Sequence, residues 1–357
     1  MYKIKIEKRS EVSKRLQILI PLFSIVVSLI LMGITIWAIT GKFSYVLEAY
    51  REMFSWPFIP ECGLSDTIQK MIPLMLTGLG LIVVFRMRIW NIGAEGQLYL
   101  GAMVTTWGAL FLLRDFRSPL AVPILLIIGS LAGALWGAIP GILKAFLNLD
   151  EIVATLMLNY IAYYWVNYLI YGPWKDPHGY NFPLTAIFPE HTWLPNIGDT
   201  NIHFGIFIAF AMVIIVYILM DRTRWGFDLK IIGDNEKAAK YAGINTKKNI
   251  ILAMVLSGAL AGLAGAIQML GVQHRLQHGF SPGYGYTGII IAWLARLNPW
   301  AIILVSFLFG GLIVGSEQLQ IIMRIPISLI NVLQGIVLFS LLASETLFKY
   351  KIRIVKR

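Results

Sequence analysis

Charge is scarce in this chain. Asp, Glu, Lys and Arg make up only 14% of its 357 residues, where about 25% is usual for soluble domains. Apolar residues reach 57% against roughly 45–50% in such domains, so an ordinary water-soluble enzyme is excluded. Cysteine is almost absent. The single Cys62 excludes an internal disulfide framework and any Cys-based metal cluster, and leaves the redox compartment open. A nucleotide-binding P-loop is missing too: the nearest stretch to GxxxxGK[ST], Gly137 to Lys144, lacks the spacing and the hydroxyl. The chain therefore does not hydrolyse ATP itself. No HExxH pattern occurs, and the five histidines (His178, His191, His203, His274 and His278) fall in or beside expected outer loops. Neither an intramembrane metalloprotease nor a metal site is supported.

What the chain has is apolar runs of bilayer length, about 20 residues, recurring from Ile18 to Leu341. They read as an all-α, polytopic transmembrane helix bundle. Candidate spans lie near 16–40, 65–85, 90–113, 119–142, 151–171, 203–220, 250–270, 285–296, 299–319 and 327–345. That is about ten spans, the one near 285–296 being short or broken. The N-terminus is basic up to Arg15, and no small-x-small cleavage site follows the first run, which reads as an uncleaved span. With the N-terminus inside, 22 of the 30 Lys and Arg fall on the cytoplasmic side. This bias explains the net charge of +11 without nucleic acid, and places a multi-pass protein in the cell (inner) membrane with both termini cytoplasmic.

Two connections are long. The extracytoplasmic one, 172–203, is rich in Pro and Trp (Pro173, Trp174, Pro177, Pro183, Pro189, Trp193, Pro195) and suits an ordered loop at the membrane surface. The cytoplasmic one, 221–249, contains a short helix-forming stretch from Asn235 to Tyr241, with Gly233 and Asp234 as its N-terminal stop and Gly243 as its C-terminal one. Glycine elsewhere recurs at helical spacing. Gly129, Gly133, Gly137 and Gly141 repeat every fourth residue, and Gly258, Gly262 and Gly265 nearly do. Small residues at that spacing let helices approach closely in lipid.

Polar residues at membrane depth are costly and face a cavity or a partner helix. The clearest set is Asn91-Ile92-Gly93-Ala94-Glu95-Gly96-Gln97, just after Arg86 and Arg88. Two glycines flanking a carboxylate imply a bend or broken helix whose backbone protein or water must satisfy. Glu95 reads as structural, pairing with Arg86 or Arg88 to lock the bend, with direct solute contact as the rival. A second set is Asn159, Tyr160, Tyr163, Tyr164 and Asn167; positions 160, 163, 164 and 167 share one helical face. It presents aromatic and amide groups suited to a flat polar solute, or else an interfacial aromatic belt. A third set comprises Gln268, Gln273, the Ser281-Pro282-Gly283-Tyr284-Gly285-Tyr286 turn, Glu317, Gln318, Asn331 and Gln334. Broken helices of this kind expose backbone groups to a passing solute, and packing glue is the rival reading.

Three stretches together resemble the permease subunits of ABC importers in the branched-chain amino acid, ribose and nucleoside family: Asn91 to Leu98, Gly233 to Ile244, and Leu256 to Gly265. The resemblance runs from about residue 65 to 345 and implies one transmembrane permease domain over 1–357. Gly233 to Ile244 looks like the permease coupling motif Glu-Ala-Ala-x-x-x-Gly, carried by Ala238, Ala239 and Gly243 with Gly233, Asn235 and Glu236 around them. Lys237 stands where the motif has glutamate, which occurs one position earlier as Glu236. Two alanines and a glycine make a small-surfaced helix that seats in another protein's groove. The NIGAEGQ form and the long outer loop are similar to the nucleoside-type, or simple-sugar, branch.

The resemblance implies a transport subunit, not an enzyme, that moves nucleosides by alternating access. It implies a separate cytoplasmic ABC ATPase that binds ATP and Mg, a second and different permease subunit, and a substrate-binding lipoprotein of the basic membrane protein type. No cofactor is expected in this chain. The expected substrate pathway is Asn91, Gln97, Asn159, Tyr160, Tyr163, Tyr164, Asn167, Gln268 and Tyr284. Ribose or another simple sugar is the alternative cargo. A rival from another class is an ion-coupled secondary transporter, which wants buried Asp, Glu or His pairs near mid-membrane, whereas the carboxylates here lie mostly towards span ends or in loops.

Overall fold

The computed structural model describes residues 2–8, 14–60, 63–323 and 350–356, with isolated positions between 332 and 343. Its helices are α1 (Lys14–Thr40), α2 (Phe43–Ser55), α3 (Gly63–Phe85), α4 (Ala94–Trp107), α5 (Ala121–Leu147), α6 (Glu151–Tyr171), α7 (Gly205–Asp221), α8 (Arg224–Asp234), α9 (Glu236–Tyr241), α10 (Thr246–Gln268), α11 (Tyr284–Leu294) and α12 (Pro299–Met323). π-Helical turns extend α4 through Gly108–Leu112 and α10 through Met269–Gln273. The strands β1 (Tyr2–Lys8) and β2 (Tyr350–Lys356) pair antiparallel, Tyr2 opposite Lys356, a small addition to the helical class. The expected span at 327–345, with Asn331 and Gln334, and Cys62 lie outside the described residues.

Every other expected span coincides with a helix, but the count of about ten crossings is not established by their lengths. Among the described residues, four helices (α3, α5, α10 with its π-turn, and α12) are long and apolar enough to cross a bilayer, and α7 with α8 forms a pair bent by 65°. α11 has only 11 residues, short of the roughly 20 that span hydrocarbon, and α4 has 14 before the 5 of its π-helical turn.

The chain divides into two compact units, 1–64 with 311–357, and 65–310. In the first, α2 turns back on α1 through Gly41, whose φ of +69° suits glycine. α2 buries Val46, Ala49 and Met53 against Met32, Ile36 and Leu319, and the Tyr50 hydroxyl donates to the Leu29 carbonyl. This helix is not among the expected spans. Its signal was Val46, Ala49, Tyr50 and Met53, spaced on one helical face.

In the second unit α4, α5 and α10 pack together through the glycine stripes. A Cβ on Gly133 would lie 2.3 Å from the Gly258 carbonyl oxygen and 2.6 Å from Gly262 Cα. One on Gly101 would lie 2.3 Å from the Gly262 carbonyl oxygen, and one on Gly265 2.1 Å from that of Leu98. Backbone meets backbone at these points, so the helices are closer than any side chain allows. The connection 172–203 is ordered against the segment after α10. Thr185 N–H donates to the Leu276 carbonyl (2.9 Å), Phe188 N–H to that of His274 (2.8 Å) and Leu194 N–H to that of Leu270 (2.9 Å), while Trp193 stacks on His274 with ring centroids 3.9 Å apart.

Candidate functional site

Between α3 and α4 the backbone reverses through Arg88, whose φ is +57°, and the polar NIGAEGQ residues hold the bend. Asn91 Nδ2 donates to Gln97 Oε1 (3.1 Å) and to Ser257 Oγ (2.9 Å), and Asn91 Oδ1 accepts from Gly93 N–H (3.0 Å). Both Asn91 and Gln97 are fully buried. These two residues knit α4 to α10. Asn159 clamps the same turn from α6: its Oδ1 accepts Gly96 N–H (2.8 Å), and its Nδ2 donates to the Ile92 carbonyl (2.8 Å) and the Tyr286 hydroxyl (3.2 Å).

The expected pairing of Glu95 with Arg86 or Arg88 is not what forms. Arg86 pairs with Asp221 (2.8 Å) and Arg88 with Asp234 (3.3 Å), because both arginines precede the bend and stay beside α7 and α8. Glu95 follows the bend and turns inward, where its Oε2 accepts Gly285 N–H at 2.7 Å and the Ser281 hydroxyl also bonds to it. Gly285 N–H is one of the donors that α11 leaves unsatisfied at its N-terminus, so Glu95 caps α11 from another helix.

Glu95 also forms part of the wall of a cavity of about 370 Å³, within the roughly 300–1,000 Å³ of small-molecule sites. Asn159, Tyr160, Tyr163 and Tyr164 from α6, Tyr99 from α4, the Ser281-Pro282-Gly283 turn and Tyr286 complete it. Tyr99 meets Tyr163 edge-on at 5.8 Å, and Tyr163 meets Tyr164 at 5.4 Å. Glu95 is 7% exposed and Tyr160 and Tyr164 are 51% and 65% exposed, so the carboxyl group lies deep and the aromatic rings form the rim.

Of the expected pathway residues, the cavity therefore gathers Asn159, Tyr160, Tyr163 and Tyr164, with Glu95 added. Asn167 lies farther along α6, against His278 at 3.0 Å. Gln268 and Tyr284 are buried in packing, Tyr284 giving its carbonyl to Thr77. Glu317 and Gln318 belong to the other unit. Tyr99 went unnoticed in the sequence, although it follows Glu95 by one helical turn and so shares its face.

The connection 221–249 holds two helices where the sequence suggested one. Gly233 and Asp234 end α8 and do not start α9; a Cβ on Gly233 would lie 2.2 Å from the Arg86 carbonyl oxygen. Asn235 is the N-cap of α9, its Oδ1 accepting from Lys237 N–H (3.0 Å) and Ala238 N–H (3.1 Å). Glu236 pairs with Lys240 at 2.7 Å, and Gly243, φ +80°, closes the helix in the left-handed conformation. Ala239 is fully buried within the chain, which removes it from the surface a partner would meet. Ala238 and Gly243 are exposed beside Tyr241, itself 93% exposed.

Comparison with known proteins bears on this arrangement. Residues 63–342 match the model of the family described as branched-chain amino acid transport system / permease component. The chain is 33% identical to the guanosine ABC transporter permease protein of Bacillus subtilis, over 96% of this chain and 97% of the relative. It is 31% identical to a glucose ABC transporter permease protein of Haloferax volcanii, over 94% and 89%, and 32% identical to a nucleoside ABC transporter permease protein of Lactococcus lactis subsp. cremoris, over 85% of each. A bent, glycine-packed helical core with a polar-aromatic cavity and the capped helix α9 thus belongs to a chain of the branched-chain amino acid transport system permease family, the membrane-embedded subunits of ABC transporters.

Proposed function

We propose that this chain is the permease subunit of an importer that carries nucleosides across the cell membrane. The observation that carries the reading is the cavity between α4, α6 and the Ser281–Tyr286 turn. Its tyrosines offer rings for a flat base and its carboxyl group offers acceptors for hydroxyl or amide donors. The relatives named for guanosine and nucleosides support that cargo, and the one named for glucose supports a simple sugar as the second reading. A leucine-like solute would need a charged clamp for its ammonium and carboxylate, and the cavity's one ionisable side chain besides tyrosine is Glu95.

In this reading a separate ATPase, binding ATP and Mg, grips α9 from the cytoplasm. A second permease and a solute-binding lipoprotein complete the importer. Motion at α9 has a short physical route to the cavity. α8 is tied to the start of the bend by Arg88–Asp234, and the end of α7, which leads into α8, by Arg86–Asp221; the bend runs directly into Glu95. The pairing of β1 with β2 supports both termini lying on one side of the membrane, which for this basic N-terminus is the cytoplasm.

The test is uptake of labelled guanosine into proteoliposomes holding the whole transporter, with adenosine, uridine, cytidine, ribose, glucose and leucine as competitors. Competition by the nucleosides alone is expected. Equal competition by ribose, glucose or leucine would defeat the nucleoside reading and leave the family assignment standing.

A further inference from the structure

The polar groups of the cavity are unequally free to read a cargo. Asn159 would be the natural reader of a base edge, but its amide oxygen holds Gly96 N–H and its amide nitrogen holds the Ile92 carbonyl and the Tyr286 hydroxyl. That leaves Glu95 as the cavity's side-chain acceptor of high capacity. A carboxylate offers about four acceptor positions, of which Gly285 N–H and the Ser281 hydroxyl take two. The remaining positions suit two adjacent donors and no acceptor.

Nucleobases seldom present such an edge. Uracil flanks its one N–H with two carbonyls, and adenine and cytosine set a ring-nitrogen acceptor beside their amino group; guanine alone offers adjacent N–H donors. Every ribonucleoside, in contrast, carries a 2′,3′-diol with two neighbouring O–H donors, and an acidic side chain on ribose hydroxyls is an established mode of recognition in dinucleotide sites. The layout favours the sugar as well, since Glu95 lies deep while Tyr160 and Tyr164 stand half-exposed at the rim, where a base can stack whatever its edge.

We propose that Glu95 is the specificity-determining residue of this cavity and accepts hydrogen bonds from the 2′- and 3′-hydroxyls of the cargo's ribose, leaving the base to the tyrosine rim. The inference rests on the nucleoside reading above and adds that the permease selects ribose over base identity.

A receptor upstream also selects, so the experiment compares wild type with Glu95→Gln in the whole transporter with the same receptor. The receptor's share then cancels in the ratio of the two. Uptake is read for guanosine and adenosine and for their 2′,3′-dideoxy counterparts. Wild type is expected to favour each ribonucleoside by at least about tenfold, since a site built to bond a hydroxyl rejects the analogue lacking it. Glu95→Gln, which exchanges an acceptor for a donor, should narrow that ratio by about threefold or more for both bases. Ser281→Ala, which releases one bond to Glu95 and keeps the carboxyl group, should shift the ratio too and serves where Glu95→Gln assembles poorly. Three results overturn the proposal: dideoxy and ribose forms carried equally by wild type, a ratio unmoved in both variants, or a change in guanosine against adenosine preference with the diol ratio intact, which would assign Glu95 to guanine. If no nucleoside is carried at all, the nucleoside reading falls and the inference falls with it.

Discussion

The Oε2 oxygen of Glu95 accepts the backbone N–H of Gly285 at 2.7 Å across 190 residues of sequence. The bond ties the first turn of α4 to the first turn of α11, at a point where a Cβ on Gly285 would lie 2.2 Å from Glu95 N. Glu95→Ala leaves that buried N–H without its acceptor, at a cost of about 1–3 kcal/mol. Glu95→Gln keeps a carbonyl oxygen in reach. Thermal melting of the detergent-solubilised protein should therefore fall clearly for Glu95→Ala and much less for Glu95→Gln; equal loss in both would mean that the ionic form, not the bond, holds α11.

The rim makes a separate prediction. Stacking on a ring is worth roughly 1–3 kcal/mol per base in nucleic-acid-binding proteins, and Tyr163 is held edge-on between Tyr99 and Tyr164. Tyr163→Ala should lower nucleoside uptake several-fold, whereas Tyr163→Phe keeps the ring and most of the rate. Uptake that falls equally in both would assign the hydroxyl, and not the ring, to the cargo.

Much of this layout was legible in the sequence because it is periodic. Gly129, Gly133 and Gly137 announce a close approach by their spacing, and Tyr160, Tyr163 and Tyr164 share a helical face by theirs. Glu95 was misread for a physical reason. Its nearest basic residues in sequence, Arg86 and Arg88, lie on the far side of a chain reversal, and a reversal through a left-handed Arg88 carries no sequence signal of its own. That Asn91 bonds Gln97 and Ser257 was not legible, because buried polar groups at membrane depth look alike from sequence whether they face water or one another. Ala239 shows the same limit: residue type gave its size, and only packing shows that it faces its own fold.

The glycine contacts rank their own substitutions. Gly133→Ala drives a methyl group into backbone atoms of α10 at 2.3 and 2.6 Å, while Gly141→Ala meets Met254 Cβ at 3.0 Å and Ile251 Cα at 3.4 Å. Backbone cannot step aside, and overpacking typically costs about 1–3 kcal/mol even where side chains can. Folded yield after membrane extraction should fall much further for Gly133→Ala than for Gly141→Ala, and the reverse order would refute this packing.

Burial divides the helix α9. Tyr241 is 93% exposed and Ala239 is fully buried. Tyr241→Ala should weaken co-purification of the ATPase and leave the melting temperature of the permease unchanged, since it touches little of its own chain. Ala239→Leu should lower that melting temperature first and lose the ATPase as a consequence. If both variants bind the ATPase normally while uptake stays normal, α9 is not the contact.

The long connection 172–203 carries a pH dependence that can be signed. His203 is 1% exposed, and its Nδ1 accepts Gly205 N–H at 3.1 Å, a bond that only the neutral ring can take. Burial, with the nearby His274 adding to it, pulls its pKa down from 6.5 to about 4. The unfolded chain, with the ordinary value, therefore binds the proton first as pH falls. The stability that neutral His203 contributes is whole above pH 6.5, is lost progressively as pH drops towards 4, and levels off below. The full swing is on the order of 3 kcal/mol. Burial pushes the His274 pKa down as well, which adds to the slope in the same direction. Melting temperature should thus fall between pH 7.5 and pH 4.5 in the unmodified protein. His203→Gln, which keeps a carbonyl acceptor for Gly205 N–H and cannot be protonated, should flatten much of that fall while lowering stability at pH 7.5 only modestly. An unchanged pH slope in His203→Gln would place the sensitivity elsewhere in the molecule.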